Sequence, residues 1–185
     1  MQQDDRLRSD ARDNRDRILA IARDALADDP KASMHSIAKA AGVGQGTLYR
    51  HFPTREALLL GVYRDGIDTL IQLAAELPSR MGPLEALQAW CEQFADFGRK
   101  KHGVAEAVRG AMSPKDFDET YWPMVGALRS LMNSCIEAGE IRQPIDAEDF
   151  LQYLALLLHL PGNEEGVARE KRLLTLAFRG IGASL

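Results

Sequence analysis

Residues 33–58 read SMHSIAKAAGVGQGTLYRHFPTREAL, two short helix signals with a glycine turn between them. Ser33 suits an N-cap ahead of a helix from Met34 to Ala41, with Ile37, Ala38 and Ala41 on its buried side. Gly42 stops that helix and makes the turn. A second short helix follows from Gln45 to His51 and ends at Pro53, and this spacing is a helix-turn-helix layout. Leu48 and Phe52 can face a core, which leaves Gln45, Gly46, Thr47, Tyr49 and Arg50 outside.

The charge of this stretch is unusual for its chain. Acids outnumber Lys plus Arg overall, 27 to 23, yet no acidic residue falls between Asp29 and Glu56. Residues 1–55 hold ten Lys or Arg against eight acids, and residues 56–185 hold thirteen against nineteen. A surface facing a polyanion would be built this way, because phosphate neutralisation dominates nucleic-acid affinity. A net charge of −4 excludes indiscriminate coating of nucleic acid, so any such surface is local.

Working outward, the pattern stays helical and no stretch sustains two-residue alternation, so an all-α fold of about nine helices is expected. Residues 1–9 read as a flexible polar arm. A first helix, Asp10 to Asp28, places Ile18, Ala22, Ala25 and Leu26 on one face and stops at Asp29-Pro30. Thr54 caps a long fourth helix whose stripe is Leu59, Tyr63, Ile67, Leu70, Ala74 and Leu77, closed by Pro78. Further helix signals fall at Pro83 to Lys100, Val104 to Met112, Thr120 to Ala138, Asp146 to Leu160 and Glu164 to about Gly182. The domain reading is an arm, a helix-turn-helix domain over 10–53, and a helical domain over 54–185 that begins with the linking helix.

Several classes are disfavoured. Cys91 and Cys135 each stand alone in apolar helical pattern, with no Cys-x-x-Cys pair, and read as buried reduced thiols. Phe150 to Leu160 is about half the ~20 residues a membrane span needs. The charged N-terminus MQQDDRLRSDARDNRDR lacks a secretory apolar region, so a cytoplasmic location is expected. No metal-ligand spacing, phosphate-cradling glycine loop or paired nucleophile and base is visible; neither an enzyme nor a cofactor is expected.

The stretch Ile37-Ala38-Lys39-Ala40-Ala41-Gly42-Val43, then Gly46-Thr47-Leu48-Tyr49-Arg50-His51-Phe52-Pro53 and Arg55-Glu56-Ala57-Leu58, resembles the DNA-binding head of the TetR family of bacterial transcriptional regulators, with the likeness running over residues 10–63. Ala138-Gly139-Glu140-Ile141-Arg142 ahead of Asp146-Ala147-Glu148-Asp149 is similar to the connection that precedes that family's dimerisation helices. The resemblance implies a three-helix head, joined by a long fourth helix to a helical domain for ligand binding and dimerisation. It also implies a homodimer that binds a palindromic operator in double-stranded DNA and is released by a small-molecule effector.

By that resemblance Tyr49 and His51 are backbone-contacting residues and Arg55 grips phosphate from the start of helix four, with Thr47 and Lys39 as further backbone candidates. Independently, helices two and three have no acid in their first turns, so their N-termini, with Ser33 and His35 nearby, are left open to phosphate or bases. Base reading is expected of Gln45, Gly46 and Thr47, joined by Arg50 and by His35 from helix two, because recognition helices reach the major groove with N-terminal side chains. The chain departs from the family where Gly44-Gln45 replaces a frequent Ser-Lys and His35 a frequent Arg, so the operator sequence does not carry over. Plainer readings stand beside these: Tyr49 and His51 as packing beneath Phe52, and Lys39 and Arg55 as solvated charges. Arg99-Lys100-Lys101-His102-Gly103 reads as dipole compensation at a helix end.

In the C-terminal helices, the large side chains Trp90, Phe94, Phe97, Met112, Trp122, Met132 and Tyr153 are candidates for the family's ligand pocket. Tyr121, Asn133, Gln152 and His159 are candidate polar members. The last two helices should dimerise through Leu151, Leu154, Leu158, Leu173, Leu174, Ala177, Phe178 and Ile181. Two alternatives remain: a DNA-binding regulator with no ligand, and a helical small-molecule-binding protein or enzyme whose helix-turn-helix is structural.

Overall fold

The computed structural model describes residues 2–100, 108, 110, 112–142 and 145–182. Among them are eight α-helices and no strand, in the order α1 (Gln2–Asp28), α2 (Met34–Ala40), α3 (Gln45–His51), α4 (Arg55–Glu76), α5 (Pro83–Lys100), α6 (Pro114–Glu137), α7 (Ala147–Leu157) and α8 (Glu164–Gly180), with a short 3₁₀ turn at Leu77–Ser79. Most of the expected Val104–Met112 helix lies outside the described residues.

Three boundaries differ from expectation. Helix α1 begins at Gln2 instead of after residue 9; no Gly or Pro interrupts the sequence before Asp29. Helix α6 begins at Pro114, ahead of the expected Thr120. Ser113 and Asp116 form a reciprocal capping box there, with Pro at the first helical position. Helix α7 ends at Leu157, and tight i to i−3 bonds carry the chain through Leu158, His159 and Leu160 toward Pro161.

The chain forms two compact units, residues 1–65 with 103–112, and residues 66–102 with 113–185. The first packs Ile18, Leu19, Ala22 and Leu26 of α1 against Met34, Ile37 and Ala38 of α2, Leu48 of α3, Phe52, and Leu58, Leu59 and Val62 of α4. Each large side chain so buried contributes about 1.5–3 kcal/mol. Gly42 turns the chain between α2 and α3 at φ +65°, a conformation that favours glycine. Gly61 gives Phe52 its space, since a Cβ there would stand 2.8 Å from the ring.

In the second unit α5 packs on α6 and α7, and α6 on α7. Trp90 is fully buried on α5 and donates its indole N–H to the carbonyl of Leu70 at 2.8 Å. Phe150 of α7 meets Phe178 of α8 edge-on at 6.4 Å. Cys91 and Cys135 are free and buried; burial pushes the Cys91 thiol well up and the Cys135 thiol up to about 11. Glu170 of α8 is also buried, and Arg99 of α5 donates to its carboxylate while holding Asp96 at 3.0 Å. Thus Arg99 makes a long-range ion pair in addition to sitting near the end of a helix.

Candidate nucleic-acid interface

The Ser33 hydroxyl accepts from the Ser36 amide at 3.0 Å, and Ser36 returns its own hydroxyl to the Ser33 carbonyl at 2.8 Å. This reciprocal cap fixes where α2 starts. At the other end of the turn Gly44 caps α3 with extended backbone and no side-chain bond. Neither helix has an acid in its first turn.

Helix α3 touches the core through Leu48 alone among its seven residues. Gln45, Gly46, Tyr49 and Arg50 are exposed, and Thr47 and His51 are half-buried. Among the described residues a Cβ built on Gly46 would meet nothing within 4 Å, so their packing does not demand glycine there. The outer face of α3 is therefore a shallow, acid-free surface.

The expected site residues divide by what they touch. Tyr49 keeps 47% of its surface exposed and is not packing beneath Phe52, whereas the half-buried His51 ring lies 6.4 Å from that of Phe52 at 47°. Lys39 is exposed on the last turn of α2. From α2, His35 meets Gln45 of α3: the Gln45 amide Nε2 lies against His35 Nδ1. Arg55 is half-buried, and its guanidinium donates to the carbonyls of Pro30, at 2.7 Å, and Ala32. Sequence reasoning missed that bracing and also Arg15, which stands 5.6 Å above the Phe52 ring. Neither partner lies within reach along its own helix, so periodicity carries no signal for them.

The second-unit candidates do not converge as one set. Trp90, Phe94 and Met132 are buried, with Trp90 stacked on Phe94 at 5.6 Å, and Phe97 is half-buried. Tyr121 donates to Glu148 at 3.1 Å and accepts from Gln152 at 3.1 Å, while the Tyr153 hydroxyl donates to the Leu173 carbonyl at 3.3 Å. Burial and the Glu148 carboxylate raise the pKa of Tyr121. Trp122, Asn133, Gln152 and His159 are exposed. Met112 belongs to the first unit and packs against its core.

The dimerisation candidates divide by their burial in the single chain. Leu151, Leu154, Leu174, Phe178 and Ile181 are buried in the chain's own core, and Leu158, Leu173 and Ala177 are half-buried. The strongest apolar stripe of a helix faces its own core first. On the same two helices Leu156 and Leu176 point outward, 65% and 62% exposed.

A short helix anchored by one leucine behind a glycine turn, braced by three other helices, defines a helix-turn-helix DNA-binding head. The profile described as bacterial regulatory proteins, tetR family, matches residues 18–62, and that of the transcriptional regulator SbtR-like C-terminal domain matches residues 82–183. A TetR transcriptional regulator of Streptomyces coelicolor is similar at 35% identity, covering 92% of this chain and 99% of that one, with a TM-score of 0.78. A TetR transcription regulatory protein of Mycobacterium vanbaalenii is similar at 27% identity over 95% and 98%, with a TM-score of 0.74. An HTH-type transcriptional regulator of Staphylococcus aureus (strain USA300) is 40% identical over 67 residues, 35% of this chain and 36% of that protein. The match thus spans about a third of the length of such curated relatives. The chain belongs to the TetR family, and it is a DNA-binding transcriptional regulator.

Proposed function

We propose that the protein is a repressor that binds a palindromic operator as a homodimer and leaves it when a small molecule binds. The outer face of α3 carries the proposal: one buried leucine, a glycine that the packing of the described residues does not require, no acid, and Gln45, Tyr49 and Arg50 turned outward. Gln45, Gly46 and Thr47 read bases, with Arg50 beside them; Tyr49, His51 and Lys39 meet the phosphate backbone. Gly46 lets the duplex approach closely. Ser33 fixes the start of α2, and Arg55 fixes the chain leading into it.

The acid-free window holds only Lys31, Lys39, Arg50 and Arg55 as cations, so a single head neutralises few phosphates and binds weakly. A dimer doubles that number and reads two half-sites about 34–36 Å apart. Leu156 and Leu176, large apolar side chains exposed on α7 and α8, support those helices as the isologous contact.

An effector would occupy the second unit, with the Tyr121–Gln152 pair offering polar contacts. It can shift the protein off DNA only by binding the DNA-free conformation more tightly. A cytoplasmic location fits this role; among the described residues no helix is long and apolar enough to cross a membrane.

Gel-shift titration with the DNA flanking its own coding region tests the proposal. Binding whose log constant falls linearly with log salt is expected. Salt-independent or absent binding to that DNA, at concentrations where the protein is folded, would reject it.

A further inference from the structure

His35 is the second residue of α2 and Gln45 the first of α3, and the glycine turn brings the two exposed side chains into contact. Nδ1 of a neutral imidazole is an acceptor when the ring proton sits on Nε2, and the amide Nε2 of Gln45 is a donor facing it. We propose, on the footing of Gln45 as a base-reading residue, that His35 sets the base preference of the interface by fixing the orientation of the Gln45 amide.

The chemistry follows from the two hydrogens of that amide. His35 Nδ1 takes the one pointing away from Oε1. The edge left free carries Oε1 as acceptor and the other Nε2–H as donor. Adenine presents the matching pair in the major groove, N7 accepting and N6–H donating, whereas guanine presents two acceptors, N7 and O6. One guanine acceptor would then face Oε1. An unanchored amide rotates about its last torsion at little cost and loses this discrimination. His35 is thus a positioning residue that acts through Gln45 without needing a base contact of its own. Both side chains are exposed without DNA, so the contact does little for the folded chain and gains strength when the duplex excludes water.

The test is selection from a DNA library with one randomised half-site, followed by competition binding of the full chain and its variants to the selected site carrying A or G at each position. The wild type is expected to favour adenine about tenfold or more at one position per half-site. His35→Ala and His35→Phe, the second keeping ring volume without an acceptor, should bring that ratio near parity. Salt dependence of binding should stay unchanged. His35→Asn, whose amide oxygen replaces Nδ1 as acceptor, should keep the preference. If Gln45→Ala abolishes the preference while His35→Ala and His35→Phe retain it, the positioning role is wrong and Gln45 reads alone; if His35→Asn loses the preference as His35→Ala does, holding the amide through an acceptor is wrong and His35 contributes in another way. If Gln45→Ala itself leaves the preference intact, the assignment of Gln45 as base reader fails, and the role of His35 with it.

Discussion

Arg55, the first residue of α4, donates from Nη2 to the carbonyl oxygen of Pro30 at 2.7 Å. Its other terminal nitrogen reaches the carbonyl of Ala32. One planar guanidinium thus holds both sides of the turn between α1 and α2, directly before the Ser33 cap. The family resemblance implies phosphate gripping at this position; in the DNA-free chain the same group braces the segment that aims α2.

Arg55→Lys therefore separates two roles. A lysine keeps the charge but cannot span two carbonyls as a fork does. Hydrogen bonds to charged groups contribute about 1.5–3 kcal/mol each when buried, and this half-exposed pair should total about 1–2 kcal/mol. Urea unfolding should show a loss of that size in the variant, with weaker binding to every DNA sequence. Wild-type stability in Arg55→Lys would remove the bracing role.

Tyr49→Ala should leave stability within about 0.5 kcal/mol, because the ring is 47% exposed on a helix held to the core by Leu48. Its effect belongs to DNA. Affinity should fall about equally for specific and unrelated sequences, as removal of a backbone contact requires. A change in base preference, measured by competition between operators, would place Tyr49 among the base readers.

The head was legible because its signals are local: the Ser33 cap, Gly42 at the turn, and Leu48 with Phe52 lie within twenty residues of each other and need no tertiary knowledge. The capping box at Ser113 and Asp116 is equally local, a Ser-Pro-Lys-Asp run that starts the helix ahead of Thr120. What periodicity cannot give is the partner of a surface residue. Arg99 reads as helix-end compensation until Glu170, 71 positions away, is seen against it. Likewise Leu154 and Leu156 are two residues apart on α7, one fully buried and one 65% exposed, and only the packing of α5, α6 and α7 decides which faces inward.

Glu170→Ala should destabilise the second unit more than its size suggests. It removes one of the two carboxylates that compensate Arg99, whose side chain is only 19% exposed, and leaves Asp96 at 3.0 Å. Burial disfavours the guanidinium charge, and the hydrogen bond and charge of Glu170 outweigh it, raising the pKa of Arg99. Breaking a buried pair costs about 3–5 kcal/mol when it leaves a charge uncompensated, and the partial exposure of Arg99 with its remaining bond to Asp96 places this one below that range. The double variant Arg99→Met with Glu170→Met should be more stable than Glu170→Ala. Additive losses in urea unfolding would show that the two groups do not depend on each other.

Thiol chemistry checks the second unit's core. With the Cys135 thiol pushed up to about 11 and Cys91 driven up further by burial, on the order of one in a thousand or fewer of either would be ionised at pH 8. An aromatic disulfide reagent at that pH should label neither thiol over minutes in the native protein and both in denaturant. Stoichiometric labelling of the native chain, faster than it unfolds, would mean that α5 and α6 do not pack as described.

Leu156→Glu and Leu176→Glu test the homodimer without threatening the fold. Both side chains are mostly exposed in the isolated chain, so a charge there costs little in one protomer, yet it would place like charges against each other across an isologous contact. Light scattering on a sizing column should show a dimer for the wild type and a monomer for either variant, with helical content unchanged. Operator binding by the monomers should weaken steeply, because each head then neutralises phosphates alone. Leu154→Glu, at a site with no exposure, should instead unfold the second unit. If Leu156→Glu and Leu176→Glu both remain dimeric, α7 and α8 do not form the contact, and the two heads are held together by some other face of the chain.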